Sequence, residues 1–283
     1  MWLWPKKKAA ATTAPAAQVT EVVDLHCHLL PGVDDGARDL ETAVQLCRMA
    51  VADGVTVAVC TPHTLDGVYD VARSRAREAL QELRAELARQ AIDLELRLAA
   101  EVRYDEAIAD LLAEWPCVSL DGERRYLLLE LPHQGVPAEL PGLLFRLRAA
   151  GTTPVIAHPE RNLGVRDDPD VTAEWVRLGA KLQVTAGSVS GAFGPVIGAC
   201  AEQLLRAGRI HVMATDTHSP GKRPPLVQGA AGAAATIVGE AGARTLLVDN
   251  PRRILAGAPA NQVTAVQPIV TNKRSRRRAR VPQ

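Results

Sequence analysis

Between residues 21 and 257 the chain alternates short apolar runs with longer stretches of helical periodicity. The runs are Val22–Leu25, Val55–Cys60, Leu94–Ala100, Tyr126–Leu131, Thr153–Ala157, Lys181–Thr185 and Ile210–Ala214. They are apolar at successive rather than alternate positions, the pattern of strands covered on both faces. Between them, Asp39–Asp53 opens on an acidic turn and stops at Gly54, and Val71–Gln90 sets Ala and Leu at helical spacing among Arg and Glu. Pro137–Ala150, Asp170–Leu178 and Val196–Ala207 stop at Gly151, Gly179 and Gly208. Glycine suits these ends because it takes the left-handed conformation that closes a helix. Strand then helix, about seven times over, predicts a parallel α/β fold. An open doubly wound sheet is the alternative, but no glycine-rich dinucleotide fingerprint follows the first strand.

Polar residues fall where the predicted strands end. The first runs into His26-Cys27-His28, the second into Thr61-Pro62-His63, the third into Glu101 and the fourth into Glu130. The fifth runs into His158-Pro159-Glu160-Arg161 and the seventh into Asp216-Thr217-His218. Five of the seven histidines lie at these ends, the face on which parallel barrels build their active sites. Residues i and i+2 of a strand point to one side, so His26 with His28, and Asp216 with His218, can share a cation. Imidazole and carboxylate in mixture suit Zn²⁺, Mn²⁺ or Fe²⁺ better than Ca²⁺ or Mg²⁺. The donors are too many for one ion, and a carboxylate such as Glu101 can bridge two. A single His-x-His is a weak signal; joined to a later Asp-x-His and to the strand ends between, it is a strong one.

Composition adds bounds. The chain has 283 residues, 47% hydrophobic, 23% charged and 3% aromatic, with a formal net charge of +1. This is the balance of a globular protein whose core is mostly Ala, Val, Leu and Ile. The five cysteines, Cys27, Cys47, Cys60, Cys117 and Cys200, are odd in number and form no Cys-x-x-Cys pair. That argues for a reducing cytoplasm. No apolar stretch reaches the roughly 20 residues of a membrane span, and Met1–Lys8 lacks the apolar run of a signal peptide. Residues 1–20, with Trp2, Trp4, Lys6, Lys7 and Lys8, read as a flexible tail, with a weak membrane-surface anchor as the sharper alternative. Residues 258–283 read as a second, basic and disordered tail ending in Lys273, Arg274, Arg276, Arg277, Arg278 and Arg280. A nucleic-acid partner is not expected, because the basic surface is confined to that tail.

The stretch Asp24–Gly36 resembles the first motif of the PHP (polymerase and histidinol phosphatase) superfamily of phosphoesterases. It resembles most the bacterial tyrosine-protein phosphatases of the CpsB/YwqE type, associated with capsular and exopolysaccharide synthesis. Thr61–His63, Glu101, Leu129–Pro132, Ile156–Asn162, Gln183–Ser188, Ala214–His218 and Asp249–Pro251 follow in that family's order. The resemblance implies a PHP domain over residues 21–257, built as a distorted seven-stranded (β/α)7 barrel holding three divalent metals. Manganese is expected, with iron and zinc as alternatives. It implies one site of His26, His28, Glu101 and Asp216, a second in which Glu101 bridges to Glu130 and His158, and a third of Asp35, His63 and His218. Asp34 competes with Asp35 for its place. Arg161 and Arg223 match the family's phosphate-binding arginines.

The implied activity is metal-dependent hydrolysis of protein phosphotyrosine, on a bacterial tyrosine kinase of polysaccharide export. Alternatives are a small-molecule phosphatase, such as one for histidinol phosphate, and a non-catalytic metal-binding regulatory module. Cys200 and Arg206 fit the Cys-x5-Arg spacing of cysteine-based tyrosine phosphatases, but Ala-Glu-Gln-Leu-Leu between them is helical and lacks glycine. Cys27 should point away from the metals, His211 lies at the wrong strand end, and Glu160 is expected to orient Arg161 or a ligand histidine. His133 and Tyr69 are left as loop and packing residues.

Overall fold

The computed structural model describes residues 18–64, 71–105, 108, 112 and 118–270. Nine strands run in chain order among the described residues: β1 (Val22–Cys27), β2 (Val55–Cys60), β3 (His63–Thr64), β4 (Glu95–Leu98), β5 (Glu101–Arg103), β6 (Tyr126–Glu130), β7 (Thr153–Ala157), β8 (Lys181–Thr185) and β9 (Val212–Ala214). All pairings between them are parallel. They make two sheets, β1-β2-β4 and β3-β5-β6-β7-β8-β9. The expected seven strands in one barrel sheet therefore become nine in two. The two extra strands are short and follow predicted ones, β3 after a break at Thr61-Pro62 and β5 after a break at Ala99-Ala100. Proline lacks the donor a ladder needs, and the chain restarts as β3 and β5. The two breaks lie side by side and share backbone bonds, Ala99 N to Cys60 O and Glu101 N to Pro62 O. Across the other junction, Asp216 N donates to His26 O at 2.8 Å and His28 N to Thr217 O at 2.9 Å.

Side chains on either face of the strands separate into two cores. Val23, Leu25, Val59, Tyr126, Leu128, Val155, Ala157 and Val212 pack on one another inside the strands. Val22, Cys27, Leu96, Val102, Leu127, Leu129, Ile156, Leu182, Val184 and Met213 pack outward against helices. The inner positions, continued toward the strands' C-terminal ends, arrive at Glu130 and Gln183. In β1 a register irregularity between Asp24 and Cys27 changes the alternation. Leu25 lies in the inner core and Cys27 in the outer one, so His26 and His28 face inward. A bulge commonly re-aims side chains next to a functional site.

The helices that pack outside include α1 (Leu40–Ala52), α2 (Arg73–Arg89), α3 (Leu140–Ala149), α4 (Leu163–Asp167), α5 (Val171–Arg177), α6 (Ala186–Val189), α7 (Pro195–Arg206), α8 (Gln228–Arg244) and α9 (Asn250–Leu255). The Asp39 side chain caps α1 by accepting from Thr42 N at 2.8 Å. Gly54 closes the same helix at φ +93°. The described chain extends past the expected boundary at residue 257. Lys181 Nζ donates to Val263 O, Val266 N donates to Ile210 O, and both valines are buried. The apolar residues here are too sparse among Pro, Asn and Gln to show a pattern, and they are held as an extended edge. The rest of both tails, with Tyr69 and Cys117, lies outside the described residues. No helix among the described residues is long and apolar enough to cross a membrane.

Candidate metal centre

Most predicted ligands sit near the C-terminal end of a strand or in the turn that follows, while His63 and Glu101 open the short strands β3 and β5, and the set converges. Four overlapping groups have donor atoms all within 4.8 Å of one another. They are His28/Asp35/His63/His218, His26/His28/Glu101, His26/His158/Asp216 and His63/Glu101/Glu130. The nine expected residues are all present, but they partition differently. His28 joins the Asp35 group, and Glu130 meets Glu101 beside His63 rather than His158. His158 Nε2 lies 2.9 Å from Glu101 Oε1 but 4.0 Å from Glu130 Oε1.

Glu101 is central. Its Oε2 has His63 Nδ1 at 3.1 Å, His26 Nε2 at 3.3 Å and His28 Nε2 at 3.5 Å, yet makes no hydrogen bond. His218 Nε2 lies 3.2 Å from Asp35 Oδ1, again without hydrogen-bond geometry. The other ring nitrogens are anchored. His26 Nδ1 meets Gln183 Oε1 at 3.0 Å, His28 Nδ1 meets Asp34 Oδ2 at 2.9 Å, and His218 Nδ1 meets the Asp216 carbonyl at 2.9 Å. A histidine that binds metal through one nitrogen characteristically gives the other to a carboxylate or carbonyl. Lone pairs that face one another, with their far sides tied, fit divalent cations. Against the five carboxylates of Asp34, Asp35, Glu101, Glu130 and Asp216, the guanidiniums paired with the cluster among the described residues are those of Arg103, Arg161 and Arg223. With neutral imidazoles the cluster keeps a negative excess that cations would offset.

The two adjacent aspartates separate in space. Asp34 is committed to His28 Nδ1 and to Gly36 N, whereas Asp35 Oδ1 is 3.2 Å from both His63 Nε2 and His218 Nε2. The turn requires Gly36, where a Cβ would lie 2.3 Å from His28 O.

Charges follow from burial and neighbours. Burial opposes ionisation of Asp216, but His26, His28 and Arg161 hold it well below the usual carboxylate range. Burial and the Glu101 charge push Glu130 up to about 7. Burial, helped by Arg161, pulls His158 down to about 4, leaving the neutral imidazole a ligand needs. His63 rises to about 10, because Asp35 and Glu101 overcome its burial. Two site residues also take strained backbone, His158 at φ +30° and Asp216 at φ +51°. Non-glycine residues hold such angles only where the surroundings impose them.

Arg161 and Arg223 both bind Asp216 Oδ2, the latter at 2.8 Å. Glu160 does not orient Arg161 or a ligand histidine, as the sequence suggested. Its Oε1 accepts from Thr185 N at 3.0 Å and Ser188 Oγ at 2.6 Å, bolting the turn after β7 to the turn after β8. His133 is half exposed, 3.8 Å from Glu130. His211, at the opposite end of the sheet, accepts from Leu182 N. Cys27 turns outward, its thiol on Val59 O. Cys200 and Arg206 lie on one helix, and burial pushes the Cys200 thiol up to about 11, so no thiolate nucleophile is available there. Two structural anchors escaped the sequence reading. Gln183 holds His26 Nδ1 and the His158 amide, and Asp24 binds Thr215 N and Oγ1. In the sequence each stands as the first residue of a motif segment, Asp24–Gly36 and Gln183–Ser188, and as a polar residue within an apolar run, which does not reveal its partner.

The model of the capsular polysaccharide synthesis family CpsB/CapC matches residues 22–256. The chain belongs to that family. It is 36% identical over 198 residues to the tyrosine-protein phosphatase YwqE of Bacillus subtilis, covering 70% of this chain and 78% of YwqE. Against the tyrosine-protein phosphatase CpsB of Streptococcus pneumoniae it is 28% identical over 239 residues, covering 83% of this chain and 98% of CpsB. A solved structure from work on those two proteins, described as unique metal-dependent tyrosine phosphatases, superposes with a TM-score of 0.81 at 32% identity. The superposition covers 88% of this chain and 100% of that one. A 5-methylcytosine deaminase from Klebsiella pneumoniae, 17% identical with a TM-score of 0.52, shares the fold over 94% of this CpsB/CapC-family chain and 91% of its own.

Proposed function

We propose that this CpsB/CapC-family protein is a metal-dependent protein-tyrosine phosphatase. Its ligands are His26, His28, Asp35, His63, Glu101, Glu130, His158, Asp216 and His218, and its substrate is a phosphotyrosine protein, a bacterial tyrosine kinase of capsular or exopolysaccharide synthesis. The observation that carries the reading is the convergence of these nine side chains beside two arginines, with three imidazoles tied at their far nitrogens. Two or three divalent cations, manganese by preference, would supply Lewis acidity and a water acidified toward neutral pH. The chain's own residues do the rest. Arg161 and Arg223 can each give two parallel hydrogen bonds to phosphoryl oxygens and balance their charge. Asp34 and Gln183 keep His28 and His26 in one tautomer and orientation. No cysteine takes part. The two sheets, joined by the bonds between β1 and the turn after β9, serve as one distorted barrel whose C-terminal rim is the site. Cys27, Cys47, Cys60 and Cys200 are buried free thiols, which favours the reducing cytoplasm as the setting. The basic tails are assigned a weak contact with an anionic membrane surface.

The test is turnover of a phosphotyrosine peptide beside histidinol phosphate, with Mn²⁺ added and then chelated, and the metal content measured. Peptide turnover lost with the metal supports the reading. Turnover of histidinol phosphate alone, or of the peptide by fully metal-free protein, overturns it.

A further inference from the structure

Arg161 leaves β7 on a single 3₁₀ turn, Pro159–Arg161, and reaches Asp216. Its guanidinium carbon lies 5.8 Å from the ring centre of Phe193, which belongs to the turn after α6. That turn is tightly specified. Ala192 N donates to Gly187 O at 2.8 Å, Gly194 N to Gly191 O at 3.1 Å, and both Gly191 and Gly194 have positive φ. The ring lies directly on Gly187, where a Cβ would come within 2.9 Å of Phe193 Cζ. Buried Glu160, next to Arg161 in the chain, ties the two turns together through Thr185 N and Ser188 Oγ.

We infer that Phe193 is a positioning residue for Arg161, its ring backing the guanidinium so that the arginine stands ready for phosphate. The inference rests on the phosphatase reading of the site. An arginine side chain has several rotatable bonds and loses freedom when it must hold one geometry. One of its donors is committed to Asp216, and five are available in all. A cation held against an aromatic face gains electrostatic attraction while leaving the in-plane donors free for an anion. Gly187 is the second half of the device. It lies in a helix at ordinary φ, so alanine there would not strain the backbone and would act only by displacing the ring.

The experiment measures kcat and KM for p-nitrophenyl phosphate and calorimetric binding of inorganic phosphate to the metal-loaded full chain. The variants are Phe193→Ala, Phe193→Trp, Phe193→Leu, Gly187→Ala, Arg161→Ala and the double variant Phe193→Ala/Arg161→Ala. Phe193→Ala should raise KM and the phosphate dissociation constant roughly 3- to 30-fold, the range of a partly desolvated cation–π contact. Phe193→Trp should recover most of that loss, Phe193→Leu should not, and Gly187→Ala should reproduce part of it. In the Arg161→Ala background the phenylalanine should no longer matter. An equal loss from Phe193→Ala with and without Arg161, or full recovery by leucine, would mean packing alone and overturn the inference. Wild-type affinity in Phe193→Ala would do the same. A parent chain that binds no phosphate, or an Arg161→Ala variant that binds it normally, would overturn the reading of the site itself.

Discussion

Asp34 and Asp35 are neighbours with identical chemistry, and only the fold tells them apart. Asp34 is occupied by His28 Nδ1 and Gly36 N, while Asp35 faces two imidazole nitrogens at 3.2 Å. Asp35→Asn should therefore remove one ion from the metal count. Asp34→Asn should keep the count but weaken affinity about 10- to 100-fold, the usual cost of losing a partner behind a ligand. Metal analysis with a competitive chelator reads both. Loss of an ion from Asp34→Asn with a full count in Asp35→Asn would reverse the assignment. The side chains that converge were legible at the predicted strand ends, apart from Asp35, which only the family resemblance supplied. The partition among groups was not, since it depends on the inward turn of His26 and His28 at the irregularity in β1. Gln183 and Asp24 were hidden for a related reason: a polar residue inside an apolar run shows that something is bonded, not what.

At the scale of elements, five predicted helices appear within a few residues of their expected bounds, because closing glycines in four and the helical spacing of Ala and Leu in the other are local signals. Helix α8 had no such signal. Its Gly and Ala residues carry little amphipathic contrast, glycine is a poor helix former, and the chain breaks helical geometry at Gly239. The packing of α8 and the edge beyond residue 257 comes from tertiary contacts that no local pattern reports. The junction of β8 and β9 makes a prediction of its own. His211 Nδ1 accepts from Leu182 N, and burial, with Lys181 nearby, pulls its pKa down to about 3. The folded pKa is thus depressed below the unfolded value of about 6.5. The unfolded chain then binds more protons between those two values, so stability is complete above about 6.5 and declines as pH falls toward 3. The slope from this one group approaches about 1.4 kcal/mol per pH unit. His211→Asn keeps an acceptor for Leu182 N without a titrating ring. Urea midpoints followed from pH 7 to 5 should fall more steeply for the parent than for the variant. Parallel curves would remove His211 as the source.

For the whole molecule, the question is how the ends of the chain stand to the site. Val19 and the Gln228 side chain exchange hydrogen bonds of 3.0 and 2.8 Å, and Gln228 also donates to Asp53 O. The N-terminal segment therefore enters beside the starts of β1 and β2. The C-terminal segment passes the start of β9, where Val266 N donates to Ile210 O, and then α8, where Ile269 N donates to Ile237 O. Both lie at the strand starts, whereas the metal centre lies at the strand ends. The six residues of β1 put about 20 Å between those faces. A chain held to an anionic surface by its tails would thus present the metal centre away from that surface, open to a protein substrate. Lys273, Arg274, Arg276, Arg277, Arg278 and Arg280 are the cations to test, since basic residues near an anionic bilayer add attraction residue by residue. Replacing all six by serine in the full chain should lower co-sedimentation with phosphatidylglycerol vesicles by roughly tenfold or more. Raised salt should weaken binding of the parent. Turnover of p-nitrophenyl phosphate should not change, because the described chain ends near the strand starts, away from the site. Undiminished co-sedimentation, or equal binding of the parent to neutral vesicles, would refute the membrane contact. A parallel fall in turnover would show instead that the basic segment supports the site.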